Sequence, residues 1–254
     1  MKIKQVLSAL EQFAPLPLQE DWDNAGLQIG LTEAEVSGAL LCLDVTEKII
    51  DEAVAKGCNL VVSHHPLLFR GLKQVADAND VQRTVRKAIK ADVCVVSMHT
   101  NMDNARGGVN WKMAEKLGAT VSEEDAENSA LVMATLPAPM EARAFVEMVK
   151  ERFGVKCALC NELLQRPIQK VGICGGAGDF MLGKAISQQA DAFITGEMHY
   201  HQYFGHEQEI QICVIGHYES EQFTTEIFRH VIERDCPGVR CCIAETRTNP
   251  IVYM

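Results

Sequence analysis

The sequence has no surplus of positive charge. Its 24 Lys and Arg residues stand against 34 Asp and Glu, for a formal net charge of -10. A chain so balanced has no basic face with which to track a nucleic-acid backbone. Extended nucleic-acid binding is therefore not expected, whereas a free nucleotide whose phosphates are screened by a metal is compatible. An apolar run of membrane-spanning length is also lacking. The opening "MKIKQVLSALEQFAP" places Ile3, Val6, Leu7, Leu10 and Phe13 at helical intervals and interrupts them with Lys2, Lys4 and Glu11. It reads as an amphipathic folded helix rather than a signal peptide. The expected location is the cytoplasm, with no membrane partner.

A second C-x-x-C pair is missing too. Cys157 and Cys160 in "CALC" stand alone, which makes packing the stronger reading over a zinc knuckle. Cys42, Cys58, Cys94, Cys174 and Cys213 lie inside apolar runs, where cysteine behaves as a small hydrophobe, so reduced core residues are expected. No low-complexity linker divides the chain.

What is present is an alternation. "SGALLCLDV", "CNLVVS", "VCVVS", "ALVMATLP", "KVGIC", "DAFIT", "IQICVIG" and "VRCCIAE" read as strands. Between them "TEKIIDEAVAKG", "NDVQRTVRKAIKAD", "MEARAFVEMVKERFG" and "SEQFTTEIFRHVIERD" read as helices, the first capped by Thr46 and stopped by Gly57. Near-continuous apolar strands separated by helices predict an α/β fold, with largely parallel or mixed sheets covered on both faces. "AVAKGCNLVVSHH" echoes "AISQQADAFITGEMHYH", and "ADVCVVSMHTNMD" echoes "EIQICVIGHYESE". An internal duplication is expected, with α/β halves at 1–125 and 126–254, a boundary in "TVSEEDAENS", and the site between the halves.

Four strands end in polar clusters: His64 and His65, then "MHTNMD", "GEMHYH" and "HYESE". Ligands in open α/β sheets bind beyond the carboxyl ends of strands, so these segments are expected to converge on a metal site. His217 and Glu221 are four apart, an interval that puts both side chains on one helix face. Asp103 adds a hard oxygen, and Pro66 splays His64 and His65 toward different ions. Imidazole with carboxylate suits Zn, Fe, Mn, Ni or Co. Five ligands exceed what one catalytic ion uses, so two divalent ions bridged by Glu221, roughly 3.5–4 Å apart, are expected. For any single histidine an ordinary hydrogen-bonding role is the competing reading.

Taken together, "WDNAGLQIG", "VVSHHPLLF", "MHTNMDNARGGVN", "TGEMHYH" and "GHYESEQF" closely resemble the type 2 GTP cyclohydrolase I homologues, also called the Ngg-interacting-factor-like family. The resemblance runs through the whole chain, in the short form without a mid-chain inserted domain. It implies a dinuclear centre on His64, His65, Asp103, His217 and Glu221. It further implies two interlinked α/β halves, a ring-shaped homohexamer, a trimer of dimers with its metal sites facing an internal cavity, and hydrolytic opening of guanine at C8 in GTP with formate release.

Other residues carry two readings each. Trp22, Asp23 and Asn24 follow the first helix and either line the cavity or fix a turn. Trp22, Asn24 and Arg106 are the substrate-binding candidates, Arg106 through a bidentate contact to an anion or, alternatively, a structural ion pair. His99, Glu197, His199 and His201 are the acid–base candidates; His206 reads as surface. "GICGGAGD" either cradles a phosphate through its amides or makes a tight turn. The functional readings are a nucleotide hydrolase resembling GTP cyclohydrolase, a phosphohydrolase of ordinary or damaged nucleotides, and a non-catalytic metal-binding ring that scaffolds partners.

Overall fold

Thr46 and Asn79 start two of the helices, as their side chains predict. Thr46 Oγ1 accepts from the Ile49 amide at 3.3 Å and Asn79 Oδ1 from the Gln82 amide at 2.9 Å, each satisfying a donor that the first helical turn leaves open. The structure is a computed structural model and describes residues 1–121 and 128–254. In chain order the first segment holds α1 (Ile3–Phe13), β1 (Gly26–Ile29), β2 (Ala39–Cys42), α2 (Glu47–Ala55), β3 (Leu60–Ser63), α3 (Asp80–Lys90), β4 (Cys94–Ser97) and α4 (Thr100–Asn104). The second holds α5 (Val109–Leu117), β5 (Thr120–Val121), β6 (Val132–Met140), α6 (Ala142–Phe153), β7 (Leu159–Cys160), β8 (Ile168–Cys174), α7 (Leu182–Ser187), β9 (Ala192–Thr195), β10 (Gln211–Val214) and α8 (His217–Glu221). The last holds α9 (Thr224–Asp235) and β11 (Cys241–Ile243).

Two compact units result. Met1–Ala105 joins Thr224–Met254 in one, and Arg106–Phe223 forms the other. Contacts thus divide the chain differently from a single cut at 125/126, because β11 returns to pair with β2. Residues 125 and 126 themselves lie outside the described residues.

The first unit carries a five-stranded sheet in the order β1-β4-β3-β2-β11. β11, β2, β3 and β4 run parallel, and β1 is antiparallel to β4. Every residue of β2, β3 and β4 is buried, as strands covered on both faces must be. Leu40, Cys42, Val61 and Val95 pack with Ile49, Ile50 and Ala53 of α2 and Val85 and Ala88 of α3. The alternate residues Leu41, Val62 and Val96 are equally buried and point to the opposite face. β1 lies outside the strands expected from the sequence. It is short and half-exposed, and Gly30 at its end has φ +107 where a Cβ would lie 2.7 Å from Cys94 Cα.

The second unit has a six-stranded sheet in the order β5-β6-β8-β9-β10-β7. β8, β9 and β10 are parallel, while β5, β6 and β7 join antiparallel. One face packs Val171, Ile173 and Ile194 on Met113, Phe145, Val149 and Phe153. The other packs Met133, Phe193 and Ile212 on Leu182 and Ala185. The segment expected as one helix over "SEQFTTEIFRHVIERD" is two, α8 and α9, separated at Gln222 and Phe223. The expected α/β architecture of mixed sheets flanked by helices is the observed one. Phe145 is fully buried in the second unit. Phe145→Ala should cost about 3–5 kcal/mol, measured as a fall in urea midpoint; a loss below about 1 kcal/mol would mean the site collapses onto the cavity.

Candidate metal centre

β3 and β4 are adjacent and parallel, so their carboxyl ends, Ser63 and Ser97, lie side by side. The two hydroxyls are 2.8 Å apart, and both reach the His65 carbonyl, at 2.9 and 3.3 Å. This pins the turn from which His64 and His65 project, their rings 4.9 Å apart and tilted by 49°. β4 continues to His99, whose carbonyl accepts from the Met102 and Asp103 amides and so sets Asp103 on α4. The ligand-competent atoms of His64, His65 and His99 all lie within 4.8 Å of one another. Asp103 Oδ1 is 3.6 Å from Nε2 of the fully buried His64.

Each of these imidazoles is held from behind. His64 Nδ1 meets the Met98 carbonyl at 2.9 Å, His65 Nδ1 meets Asp44 Oδ1 at 2.7 Å, and His99 Nδ1 meets Asp23 Oδ1 at 2.7 Å. A carbonyl or carboxylate oxygen accepts, so in the neutral ring Nδ1 carries the proton and Nε2 the lone pair. That tautomer is the one metal-binding histidines adopt. Asp44 is in turn fixed by Thr248, whose hydroxyl donates to Oδ2 at 2.6 Å. Burial works against the Asp23 charge, yet hydrogen bonds from His99, Thr100 and the Asn24 amide, with the His99 charge, bring its pKa down to about 2.

In the second unit the adjacent ends of β9 and β10 are joined through Gly216 N donating to Gly196 O at 3.1 Å. α8 begins at His217, whose Nδ1 is 2.9 Å from Glu197 Oε1 and whose Nε2 is 3.1 Å from Glu221 Oε2. A neutral ring donates to only one of those carboxylates. A cation between Nε2 and Glu221 satisfies both, so the donor set fits a metal.

The Gly-rich segment takes the turn reading. The Gly175, Gly176 and Gly178 amides donate to Asn110 Oδ1 at 2.7 Å, Ser220 Oγ at 2.9 Å and Thr195 Oγ1 at 3.1 Å. These three amides are committed within the protein. Gly176 has φ +57, and a Cβ there would lie 2.2 Å from Glu221 Oε1. Glycine is needed because the loop backbone closes over the Glu221 carboxylate.

The remaining candidates fall in different places. Trp22 is exposed and meets Phe69 and His99 edge-on, at 5.8 and 6.2 Å between centroids. Asn24 Nδ2 donates to Leu68 O at 2.7 Å, which makes its amide a brace. Arg106 lies over the Trp111 ring at 5.5 Å. Glu197 joins His217, but the exposed His199 and His201 do not enter any group of ligand-competent atoms among the described residues. His199 caps a short turn through its amide on Gln202, and His201 packs on Tyr200 and Phe204. His206 pairs with Glu209 at 2.8 Å. Sequence reasoning missed Asp44, Thr248 and Phe69. Asp44 lies two residues beyond β2 and was open to the same strand-end argument.

A family model described as Duf34/NIF3 (NGG1p interacting factor 3) matches residues 1–250. The chain belongs to the Duf34/NIF3 family. It is 34% identical over 262 residues to a "GTP cyclohydrolase 1 type 2 homolog" of Clostridium perfringens, covering 100% of both chains, so no inserted domain separates them. A Lactococcus lactis protein of the same description is 31% identical, with 98% of each chain covered. Among solved structures, the Staphylococcus aureus hypothetical protein SA1388 superposes with a TM-score of 0.90 at 25% identity, covering 100% of this chain and 99% of that one. A Bacillus cereus protein related to NIF3 gives 0.87 at 21% identity, with the same coverage. Both share this NIF3 fold. No helix among the described residues is long and apolar enough to cross a membrane.

Two outcomes follow. The Asp23 carboxyl is depressed from 3.8 to about 2, so its stabilising contribution is whole above the higher value and lost as pH falls through the lower. The urea-midpoint difference between wild type and Asp23→Asn should therefore shrink across that window; a pH-independent difference would contradict it. Gly176→Ala should lower bound Mn or Zn, measured by plasma mass spectrometry, while costing the fold only about 1–2 kcal/mol for the left-handed backbone. Undiminished metal would show that Glu221 escapes the new methyl.

Proposed function

We propose that this chain is a metal-dependent hydrolase of a nucleotide, with His64, His65, Asp103, His217 and Glu221 together holding two divalent transition-metal ions. The observation that carries this reading is the backing of His64, His65 and His217 by an oxygen on Nδ1, an arrangement that orients Nε2 toward a cation. Imidazole with carboxylate fits Zn, Fe, Mn, Ni or Co. Such ions would supply Lewis acidity and make water nucleophilic near neutral pH.

The protein's own groups have distinct parts. His99 presents Nε2, from which a proton moves to or from the reacting group while Asp23 holds Nδ1. Glu197 holds the proton on His217 Nδ1. Trp22 and Phe69, both exposed beside His99, offer faces on which a purine can stack. With the Gly-rich amides committed elsewhere and Arg106 over Trp111, these rings favour chemistry on the base, in keeping with a GTP cyclohydrolase-like ring opening. A homohexamer, a trimer of dimers with the centres facing an internal space, belongs to the same proposal.

The test is a nucleotide panel, GTP included, incubated with Mn-, Fe- or Zn-loaded protein and resolved by chromatography, beside chelated and Glu221→Ala controls. Metal-dependent loss of GTP with formate release, abolished in the variant, is expected. Phosphate release would make the protein a phosphohydrolase, and metal binding without turnover would make it a scaffold. Glu221→Ala should also lose most bound metal while still unfolding in one cooperative urea transition.

A further inference from the structure

The "CALC" pair does not act as a unit. Cys157 is exposed, whereas Cys160 lies on β7 in register with Cys213 of β10. Directly opposed residues of antiparallel strands project to the same face with Cβ atoms about 4.5–5.5 Å apart. A disulfide needs about 3.5–4.5 Å, so a small inward shift of one strand suffices. β7 has two residues and sits at the sheet edge, paired with a neighbouring strand on one side only.

The two thiols differ in access. Cys213 is fully buried. Cys160 is half-buried on the edge strand and lines a cavity of about 620 Å³ with Leu159, Met198, Tyr200, Tyr203 and Phe204. We propose that Cys160 and Cys213 form a reversible disulfide site, oxidised by hydroperoxides that enter this cavity. The Cys160 thiolate attacks one peroxide oxygen, the O–O bond breaks, and water or an alcohol leaves. Cys213 then attacks the resulting sulfenic sulfur, its proton leaves with the hydroxyl as water, and the S–S bond forms. Two electrons pass from the two thiols to one hydroperoxide. The order agrees with the charges: a hydrogen bond from Cys213 and the Lys150 charge lower the Cys160 pKa against the effect of burial, whereas the Cys213 thiol is pushed up.

Reduced full-length protein, held in chelator, is treated with equimolar hydrogen peroxide, alkylated, digested and mapped by mass spectrometry. The expected product is a single cross-link between the peptides bearing Cys160 and Cys213, reversed by dithiothreitol and retained in Cys157→Ser. In Cys213→Ser a dimedone adduct should appear on Cys160. Alkylation of both thiols after peroxide, or a Cys157–Cys160 link in place of the expected one, would overturn the proposal.

Discussion

The histidines of the candidate centre are useful only because something behind each ring decides where its proton sits. A surface imidazole rotates and exchanges tautomers freely. Here His64 leans on a main-chain carbonyl, and His65, His99 and His217 lean on Asp44, Asp23 and Glu197. The strands deliver these residues, but the Nδ1 contacts turn a set of imidazoles into aligned donors. A buried ring such as His64, without its carbonyl, would have to find another acceptor in an interior that offers few.

That arrangement concentrates negative charge. Asp44, Asp103 and Asp23 crowd three histidines in the first unit, and Glu197 and Glu221 flank one in the second. Gathered carboxylates repel one another unless a cation or a hydrogen-bond donor intervenes. Asp23 answers with donors alone: the His99 ring, the Thr100 amide and hydroxyl, and the Asn24 amide. His217, between two carboxylates, has a geometry that a divalent ion completes.

Much of this was legible in the sequence because the strands are short, apolar and end abruptly. β2, β3 and β4 announced themselves as unbroken hydrophobic runs, and Thr46 marked a helix start by side-chain chemistry. The break between α8 and α9 was hidden, since Gln222 and Phe223 continue a helical pattern that tertiary packing interrupts. β1 was hidden because half of it faces solvent and a four-residue strand has almost no period to read. In the site, the strand-end histidines stood out, while Thr248 lies about two hundred positions from the Asp44 it fixes, a separation no local pattern spans. The Gly-rich stretch could not be settled from its glycines, because cradle and turn share that composition. The side chains of Asn110, Ser220 and Thr195 decide it, and they come from three other elements.

The return of β11 to the first sheet has a consequence for how the chain is made. Its parallel partner β2 emerges from the ribosome some two hundred residues earlier, so the first unit's sheet must wait with an open edge while Arg106–Phe223 is synthesised. The intervening unit is contiguous in sequence, so its closure does not depend on residues beyond Phe223. Nascent protein would thus complete its middle unit before the first sheet gains its last strand. A chain interrupted anywhere before residue 241 would leave β2 exposed as an unpaired apolar edge, the kind of surface on which quality control and aggregation both act.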